Sequence, residues 1–373
     1  MSSSKPTSLL ARHRPLAPNA GIFVSPICLG TMNFGGVYTG TLGECNKETA
    51  FEILDLFYSS GGNFLDTASS YQGGESEKWI GEWLTKTGHR DEMIIATKYT
   101  SAFMQKSHPG LQQSNFGGNS AKSLRLSVES SIEKLQTSYV DILYVHYWDM
   151  TTSIPEIMQS LNHLVATGKV IYLGISDTPA WIVAKCNAYA REHGLRPFSI
   201  YQGRWSAADR DLERDIIPMC RDEGMALAPW GVLGRGLFRS GNAPKEGGRN
   251  APSLNTGREG PVSEVLNAVA SRKGVPITSI ALAYVRNKAP YVFPICGGRT
   301  VDHLKGNIEA LRVQLSDEDI AEIETGYDFD LGFPHNFLSA TGNAPQGPED
   351  ISISNRRGTF EYIKSGYEIT GAS

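Results

Sequence analysis

Residues 140–147 read VDILYVHY, and Ile142, Leu143, Tyr144 and Val145 follow one another at their centre without a polar interruption. A strand that is buried on both faces is apolar throughout, whereas a strand with one solvated face alternates apolar and polar residues. The run therefore predicts a strand of a parallel sheet whose outer side is covered by helices.

The same kind of run recurs along the chain, and a stretch with helical periodicity follows each one. The predicted strands are residues 27–31, 64–68, 93–98, 140–147, 170–176, 198–202, 226–230 and 292–296. The predicted helices are residues 47–60, 76–85, 121–135, 153–166, 179–192, 212–222, the pair 261–273 and 278–287, and 301–311. Eight such units predict a single α/β domain, a (β/α)8 TIM barrel, more naturally than an open sheet.

The remaining residues are predicted to extend this barrel. We expect an N-terminal arm at residues 1–26, the barrel at 27–326 and a C-terminal tail at 327–373. Residues 101–120 and 231–260 are rich in Gly, Asn, Ser and Pro, so they are predicted to be long loops after the third and seventh strands. In a barrel such loops lie at the C-terminal face, where ligands bind.

Composition excludes several classes of function. The chain has 373 residues with 35 Lys and Arg against 39 Asp and Glu, so it has no basic field that would gather a nucleic acid. No run of 18 apolar residues and no signal peptide is visible, which predicts a cytoplasmic protein without a membrane span. Its 5 Cys are odd in number and never form a Cys-x-x-Cys pair, so we expect buried thiols and no metal site.

Polar residues stand at or just beyond the predicted strand ends, where barrel chemistry takes place. They are Asp66, Tyr71, Lys98, His146, Ser176, Asp177 and Gln202. An ammonium beside a tyrosine hydroxyl favours the phenolate and brings its pKa from ~10 towards neutrality. A carboxylate would keep that lysine protonated, and a histidine can polarise a carbonyl oxygen. Asp66, Tyr71, Lys98 and His146 thus predict a proton-transfer site.

Each of these four residues also has a structural interpretation. Asp66 could cap a helix, Tyr71 could be a solvated loop aromatic, Lys98 could extend to solvent, and His146 could be a core histidine. Their coincidence at one face of one predicted architecture favours the catalytic interpretation.

Two glycine-containing segments are candidates for binding phosphate, although no G-x-G-x-x-G follows a strand and no P-loop motif occurs. Residues 231–237, GVLGRGL, follow the seventh strand and offer the backbone of Gly231, Leu233, Gly234 and Gly236, or else form a plain flexible loop. Residues 295–300, ICGGRT, end the eighth strand and open a helix, where N-terminal amides favour an anion. Loops after strands seven and eight frequently build barrel phosphate sites.

These residues carry a resemblance to a known family. Residues 62–71, GNFLDTASSY, followed by Glu75-Ser76-Glu77, resemble the aspartate–tyrosine signature of the aldo-keto reductases, and Lys98 and His146 fall on that family's third and fourth strands. Residues 174–181, GISDTPAW, and 201–205, YQGRW, resemble its fungal aryl-alcohol dehydrogenase branch, which includes norsolorinic-acid-reductase-like proteins. The resemblance implies a (β/α)8 barrel that transfers hydride from NADPH to an aldehyde or ketone without a metal.

The resemblance also implies roles for residues of this sequence. Tyr71 would be the general acid, Lys98 would lower its pKa, Asp66 would hold Lys98, and His146 would orient the carbonyl. The remaining positions would bind NADP(H): Ser176 and Gln202 the carboxamide, Trp230 the nicotinamide ring, Gly298 and Arg299 the 2′-phosphate region, and His303 and Asn307 the adenosine.

Two of these cofactor positions need comment. Asp177 stands where most of the family has an asparagine, and an ionised carboxylate can only accept hydrogen bonds. Arg299 suits a bidentate phosphate contact, which favours NADP over NAD, unless it is simply a solvated residue at a helix start.

Aromatic residues near the predicted mouth suit a flat aryl or polycyclic substrate, although each could equally pack in the core. Trp148 would face the same way as His146 if the strand continued that far. The candidates are Phe34, Trp148 and Trp205, with Phe103 and Phe116 as further possibilities.

The leading hypothesis is an NADPH-dependent aldo-keto reductase that acts on a small-molecule carbonyl or alcohol. One alternative is a nucleotide-binding accessory subunit that resembles the β-subunits of potassium channels. Another is an aldolase-type barrel in which Lys98 forms a Schiff base, against which the phosphate-binding loops argue.

Overall fold

A computed structural model describes residues 8–239, 256–342, 344–345 and 347–359. Parts of the predicted arm, of the predicted loop 231–260 and of the predicted tail lie outside these residues. The strands of the described part are β1 Arg14–Ala17, β2 Ala20–Val24, β3 Cys28–Gly30, β4 Phe64–Asp66, β5 Ile94–Tyr99, β6 Val140–Val145, β7 Val170–Ser176, β8 Phe198–Arg204, β9 Ala226–Trp230 and β10 Ile295–Gly297.

Eight of these strands form one parallel sheet in the order β10-β3-β4-β5-β6-β7-β8-β9. A parallel bridge between Leu227 of β9 and Val292, just before β10, joins the two ends of the sheet. The predicted (β/α)8 barrel is therefore confirmed. The eighth strand is shorter than predicted, because only Ile295–Gly297 pair with β3 while residue 292 makes a single bridge.

The helices alternate with these strands, and side-chain caps mark several starts. Asn46, Ser120 and Ser153 each accept a backbone N–H of the first turn, as N-cap residues do. The helices of the described part are α1 Thr39–Leu42, α2 Lys47–Ser59, α3 Glu75–Thr87, α4 Ala121–Lys134, α5 Ile154–Ala166, α6 Ala180–Glu192, α7 Ile216–Asp222, α8 Glu259–Lys273, α9 Ile277–Lys288, α10 Val301–Glu309, α11 Asp317–Glu324 and α12 His335–Leu338.

Two layers of apolar side chains follow from the period of two along each strand. Leu65, Leu143 and Leu227 point outward and belong to the large core under the helices. Ile142 and Ala226 point inward and belong to a smaller cluster inside the barrel. The barrel interior is thus a packed core and not a pore.

A hairpin that the sequence analysis does not predict closes the amino-terminal end of the barrel. Strands β1 and β2 pair antiparallel, and Leu16, Ala17 and Val24 join the interior cluster. The side-chain amide of Asn19 donates to Phe198 O at 3.3 Å and so ties the hairpin to β8. Helix α11 is also unpredicted, although its start carries a capping box formed by residues 316 and 319.

All five cysteines are buried and unpaired, as predicted. In the described part of the chain, no helix combines the length and the apolar character needed to cross a membrane.

Candidate active site

The register of three adjacent strands brings the polar residues of the barrel interior to one level. Asp66 is the last residue of β4 and pairs with Ala96, two residues before Lys98 on β5. Lys98 pairs with Tyr144 on β6. Residues two apart in a strand point to the same side, so Ala96 and Lys98 both face the barrel interior. The interior side chains are apolar at the level of Ala96 and form a polar layer at the level of Lys98, nearer the carboxyl ends of the strands.

Lys98 is the centre of this polar layer and has no solvent exposure. Its Nζ donates to Asp66 Oδ1 at 2.6 Å, to Thr67 O at 2.7 Å and to the Tyr71 hydroxyl at 3.2 Å. The other carboxylate oxygen of Asp66 accepts from Gln202 Nε2 at 2.8 Å. The structure thus brings Asp66, Tyr71 and Lys98 into direct contact, as predicted from the sequence.

Tyr71 lies on a tight turn held by Gln72. Gln72 and Gly73 have positive φ of 52° and 64°, so the chain reverses directly after the tyrosine. The buried Gln72 side chain accepts from Tyr38 N at 2.7 Å and donates to Met32 O at 3.0 Å. These two bonds offset the strain at Gln72, the residue directly after Tyr71.

The pKa values of this pair differ in part from the sequence-based expectation. Burial raises the pKa of Tyr71 above its usual value, and the opposing charge of Lys98 does not cancel that effect. Burial lowers the pKa of Lys98, but Asp66 and Tyr71 outweigh it, so the pKa of Lys98 is raised. The net shift at Tyr71 is therefore upward and not towards neutrality, because desolvation penalises the phenolate more than one ammonium stabilises it.

His146 lies one residue beyond β6, with its ring centroid 6.0 Å from that of Tyr71. Its Nδ1 lies 3.3 Å from Ser101 Oγ, and its backbone N–H donates to Tyr99 O at 3.1 Å. Burial, together with the charge of Lys98, lowers the pKa of His146 to about 3. The imidazole is therefore neutral at physiological pH and can serve as a hydrogen-bond partner but not as a cation.

The loops after β5 and β6 are joined by a pair of side chains that the sequence analysis missed. Asp149 Oδ2 accepts from Asn119 N at 2.7 Å, and Asn119 Oδ1 accepts from Asp149 N at 2.7 Å. Asn119 Nδ2 also donates to Thr100 Oγ1 at 2.9 Å. Hydrogen bonds from Asn119, Thr151 and Thr152 lower the pKa of Asp149 to about 2, despite partial burial. The loop that carries Ser101 is thereby held against the strand end that carries His146.

A second missed network lies behind the Tyr71 turn. Glu77 on α3 is fully buried, accepts from Thr97 Oγ1 at 2.6 Å and pairs with Lys134 Nζ at 2.8 Å. Lys134 also donates to Ser69 O at 3.3 Å. A signal existed in the sequence, since residue 77 is an acid placed among the apolar positions of a helix.

The residues expected to hold nicotinamide lie on β7, β8 and β9. Ser176 Oγ is buried and has no hydrogen-bond partner within 3.5 Å among the described residues, but the hydroxyl lies close enough to the Asp177 carboxyl to lower the pKa of that group. Gln202 donates an amide N–H to Asp66, and its side-chain oxygen remains an acceptor. Asp177 Oδ1 accepts from Trp230 Nε1 at 3.4 Å.

The backbone of Asp177 also explains why an acid is tolerated there. Its φ is 40°, in the left-handed region that Asn and Asp enter more readily than other side chains. Burial raises the pKa of this carboxyl, and the bond from Trp230 opposes that rise. Aspartate and asparagine therefore meet the same backbone demand at residue 177, but they differ in charge and in what they can donate.

The loop after β9 has the backbone that the glycine pattern suggests. Gly231, Gly234 and Gly236 have positive φ of 75°, 63° and 84°. A Cβ at Gly234 would lie 2.6 Å from the ring of Phe238, so only glycine fits at that point. Leu233, between these glycines, is partly buried against the core.

A buried ion-pair network, not foreseen from the sequence, holds this loop in place. Arg235 has φ of 56° and is almost completely buried. Its guanidinium pairs with Asp209 Oδ2 at 2.8 Å and with Glu259 Oε1 at 2.7 Å. The loop after β9 is thus joined to the segment after β8 and to the start of α8.

The junction of β10 and α10 holds the other predicted phosphate residues. Thr300 caps α10 by accepting from His303 N at 3.3 Å, and His303 Nδ1 accepts from Arg299 N at 3.3 Å. Asn33 Nδ2 donates to Gly298 O at 2.7 Å, and Asn307 is buried one turn further along α10. Arg299 remains partly exposed beside these amides.

Arg299 lies against a glycine that sequence analysis did not single out. A Cβ at Gly43 would clash with Arg299 Nη1, and Gly43 has φ of 79°. The missing side chain at Gly43 therefore leaves room for the guanidinium beside the loop after β3.

Two of the three predicted substrate aromatics do not lie at the mouth of the barrel. Phe34 and Trp205 have no solvent exposure and belong to the core under the helices, and Trp205 Nε1 donates to Glu213 at 3.1 Å. They offer no surface to a substrate in this structure, because neighbouring core residues enclose both side chains completely. Trp148 is partly buried, and β6 ends at Val145, so the strand does not continue to carry Trp148 beside His146.

A cavity of about 270 Å³ opens beside the Tyr71 turn. Met32, Tyr38, Tyr71, Ser101 and Phe103 are among the residues that line it. Phe103 meets Phe116 edge to face at 5.8 Å, so the predicted loop 101–120 contributes an aromatic wall. A small molecule in this cavity would contact the Tyr71 side of the polar layer.

Comparison with known proteins gives consistent results. The family model described as "Aldo/keto reductase family" matches residues 26–328. The chain is 60% identical to an aryl-alcohol dehydrogenase of Pestalotiopsis microspora over 97% of this chain and 94% of that protein. It is 54% identical to norsolorinic acid reductase B of Dothistroma septosporum over 95% and 92%. It is 49% identical to a putative aryl-alcohol dehydrogenase of Saccharomyces cerevisiae over 90% and 91%.

Proposed function

Since the chain belongs to the aldo/keto reductase family, we propose that it is an NADPH-dependent reductase that interconverts an aldehyde or ketone and its alcohol. Family membership and the related dehydrogenases and reductases make it a carbonyl and alcohol oxidoreductase. One observation carries the finer proposal: the buried ammonium of Lys98 contacts the Asp66 carboxylate and the Tyr71 hydroxyl together.

In this proposal Tyr71 is the general acid of carbonyl reduction. Its hydroxyl donates a proton to the carbonyl oxygen as negative charge develops there, and its raised pKa keeps it protonated between turnovers. When bound, the nicotinamide supplies the hydride that reduces the carbonyl carbon. Lys98 stabilises the phenolate that remains on Tyr71, and Asp66 keeps Lys98 charged and in place.

His146 is assigned to orienting the carbonyl. Its ring lies beside that of Tyr71, and its low pKa makes it a neutral hydrogen-bonding group. A neutral imidazole can donate to the carbonyl oxygen without competing with Tyr71 for the role of acid. Because Ser101 Oγ contacts Nδ1 of His146, the other ring nitrogen, Nε2, is the one that remains for the substrate.

The residues at the carboxyl end of the barrel fit an NADPH molecule. The buried Ser176 Oγ and the side-chain oxygen of Gln202 can bind the carboxamide, while Trp230 can stack on the ring. The left-handed glycines after β9 expose backbone for a pyrophosphate. The partly exposed Arg299 guanidinium beside the α10 start supports a 2′-phosphate contact with His303 and Asn307 near the adenosine, and hence NADPH over NADH.

An aryl carbonyl or a ketone intermediate of a natural-product pathway is the proposed substrate. The relatives are named for aryl alcohols and for norsolorinic acid. The aromatic side chains of Tyr38, Tyr71 and Phe103 around the cavity support a flat substrate.

The Schiff-base alternative is disfavoured by the state of Lys98. A lysine that attacks a carbonyl must lose its proton, whereas Asp66 and Tyr71 raise the pKa of Lys98. The accessory-subunit alternative differs in its outcome, since such a subunit would bind NADPH without turning over a carbonyl.

The test compares wild type with Tyr71→Phe. Absorbance of reduced nicotinamide is followed with a panel of aromatic aldehydes and polycyclic ketones, using NADPH and NADH side by side. Loss of the acid is expected to lower kcat by on the order of 10²–10⁴. Fluorescence titration should show that the NADPH dissociation constant stays within about twofold, because the ring remains.

Tyr58→Phe serves as the matched control, since Tyr58 lies on α2 ahead of β4 and its hydroxyl bonds to Glu92 outside the polar layer. Retained turnover in Tyr71→Phe would move the acid to another residue. Binding of NADPH without turnover of any carbonyl by wild type would favour the accessory subunit.

A further inference from the structure

The cavity beside Tyr71 has an unusual charge pattern. None of the described residues that line it is acidic, and Lys106 is the one charged side chain among them. The ammonium of Lys106 lies 5.6 Å above the ring of Tyr38, which lines the same cavity. The cavity therefore combines aromatic surface with a single positive charge.

Lys106 has no carboxylate partner in the described part of the chain. The acid on the same turn as Tyr71, Glu75, instead accepts from Gly36 N at 2.8 Å. Two other lysines nearby form ion pairs, Lys98 with Asp66 and Lys134 with Glu77. Among the described residues that line the cavity, Lys106 is thus the cation that can interact with a bound molecule.

The stem of Lys106 is placed by the turn that carries the proposed acid. A Cβ built on Gly73 would lie 3.4 Å from Lys106 Cβ, so the lysine stem packs against the glycine two residues after Tyr71. Gly73 has φ of 64° as part of that turn. The loop after β5 therefore brings its lysine to the rim beside Tyr71, with the ammonium pointing over Tyr38.

We infer that this cavity selects an aromatic carbonyl substrate bearing an anionic substituent, a carboxylate or an ionised phenol, and that Lys106 is the specificity-determining residue that pairs with it. The inference rests on the proposed function. Lys106 is exposed at the rim of this concave site, and a substrate that docks there displaces part of the water around the ammonium, which strengthens its attraction for an anion. A neutral analogue of the same shape gains the aromatic contacts but not the charge-assisted hydrogen bond.

The cation of this anion site and the cation of the proposed cofactor phosphate site come from different loops. The cavity is formed by the loops after β3, β4 and β5. Arg299 and the left-handed glycines follow β10 and β9. The loop after β3 lies next to both segments, since Leu42 lines the cavity and Gly43 lies against Arg299, so an unchanged NADPH dissociation constant in Lys106→Met separates a substrate substituent from a cofactor phosphate.

The experiment measures the ratio of kcat/KM for 4-formylbenzoate to that for its neutral methyl ester, together with the corresponding ratio for the 3-formyl pair. Wild type is expected to prefer at least one anion, and Lys106→Met to lower that ratio about tenfold. Lys106→Arg should retain the preference and Lys106→Glu should reverse it. Added salt should weaken the wild-type preference, since the lysine is exposed.

Lys122→Met is the matched control, because Lys122 is an exposed lysine on α4 that does not line the cavity. It should keep the wild-type ratio, and the NADPH dissociation constant should be the same in all these proteins. An unchanged ratio in Lys106→Met, or no preference in wild type for either anion, would overturn the inference while leaving the reductase proposal intact.

If wild type shows no turnover, the binding of the aldehydes still tests the inference separately from the proposed function. The same aldehydes are titrated by calorimetry into Tyr71→Phe saturated with NADPH, with and without Lys106→Met. If an anionic aldehyde binds more tightly than its neutral ester, and this difference disappears with Lys106→Met, the inference is supported even without turnover. Equal affinities of the anion and the ester would refute it. Absence of turnover in wild type would count against the proposed function alone.

Discussion

Lys98 carries its charge in the barrel interior, where an unpaired ammonium would be costly. Its three N–H groups find three oxygens, one each from Asp66, Thr67 and Tyr71. The ammonium is thus fully satisfied, and the Tyr71 hydroxyl is one of the groups that satisfy it. The position of the proposed acid therefore depends on a buried ion pair and not on the tyrosine alone.

The pH dependence of carbonyl reduction follows from these residues. A general acid must hold its proton, so activity falls as pH rises through its pKa, and burial raises the pKa of Tyr71. His146, with a pKa of about 3, does not titrate in the working range. We expect kcat/KM to be flat from about pH 5 to about pH 8 and to fall only in the alkaline range, above ~10.

The measurement is kcat/KM with NADPH across that range, with the stability of the protein checked at each pH. The residual activity of Tyr71→Phe should lack the alkaline decline. A midpoint near neutrality in wild type would contradict the assignment, because it would require an acid with a lowered pKa.

Short elements at the carboxyl face carry the proposed cofactor contacts. The junction of β10 and α10 places Arg299 beside the capped start of a nine-residue helix. Backbone amides at such a start favour an anion, and an adjacent guanidinium adds a bidentate contact. The two effects act on the same side of the barrel as the loop after β9.

Arg299→Ala tests this element. The variant should raise the NADPH dissociation constant by about tenfold or more but the NADH constant by less than about threefold, because only NADPH carries the 2′-phosphate. Fluorescence titration with both cofactors measures the two constants. Arg312→Ala, which removes an exposed arginine paired with Glu309, should leave both constants near wild type. Equal effects of Arg299→Ala on both cofactors would remove the 2′-phosphate assignment.

The whole molecule is a barrel closed at one end and elaborated at the other. The hairpin of β1 and β2 covers the amino-terminal end, with Leu16 completely buried in the interior cluster. The loops after β3, β4 and β5 form the cavity at the carboxyl end. Stability and chemistry are therefore separated along the barrel axis, as is usual for this architecture.

Leu16→Ala should lower the free energy of unfolding by about 2–5 kcal/mol, since it leaves a cavity among the interior side chains. Urea unfolding measures this loss, and kcat should stay near wild type because the site lies at the other end. Phe23→Ala in the same hairpin is the control, since Phe23 is 58% exposed and should cost no more than about 0.5 kcal/mol. Equal losses of unfolding free energy for the two variants would show that burial of Leu16 in the interior cluster does not stabilise the barrel.

Local sequence patterns were sufficient to predict the barrel and the contact of Asp66, Tyr71 and Lys98. A strand or helix is specified by a period within about ten residues, and a parallel barrel brings all strand ends to one face. The hairpin is not predicted because its two strands are short and lie within residues 1–26, the predicted N-terminal arm. Helix α11 was missed although its capping signal is local.

The sequence by itself determined the architecture and the residues that meet at the centre of the site, because both follow from periodicity and strand order. The tertiary structure alone decided that Phe34 and Trp205 are core residues, that Arg235 is paired on both sides, and that Lys106 lines the cavity. It also decided the direction of the Tyr71 pKa shift. Burial and ion pairing between distant segments depend on three-dimensional packing, and no local pattern of residues encodes them.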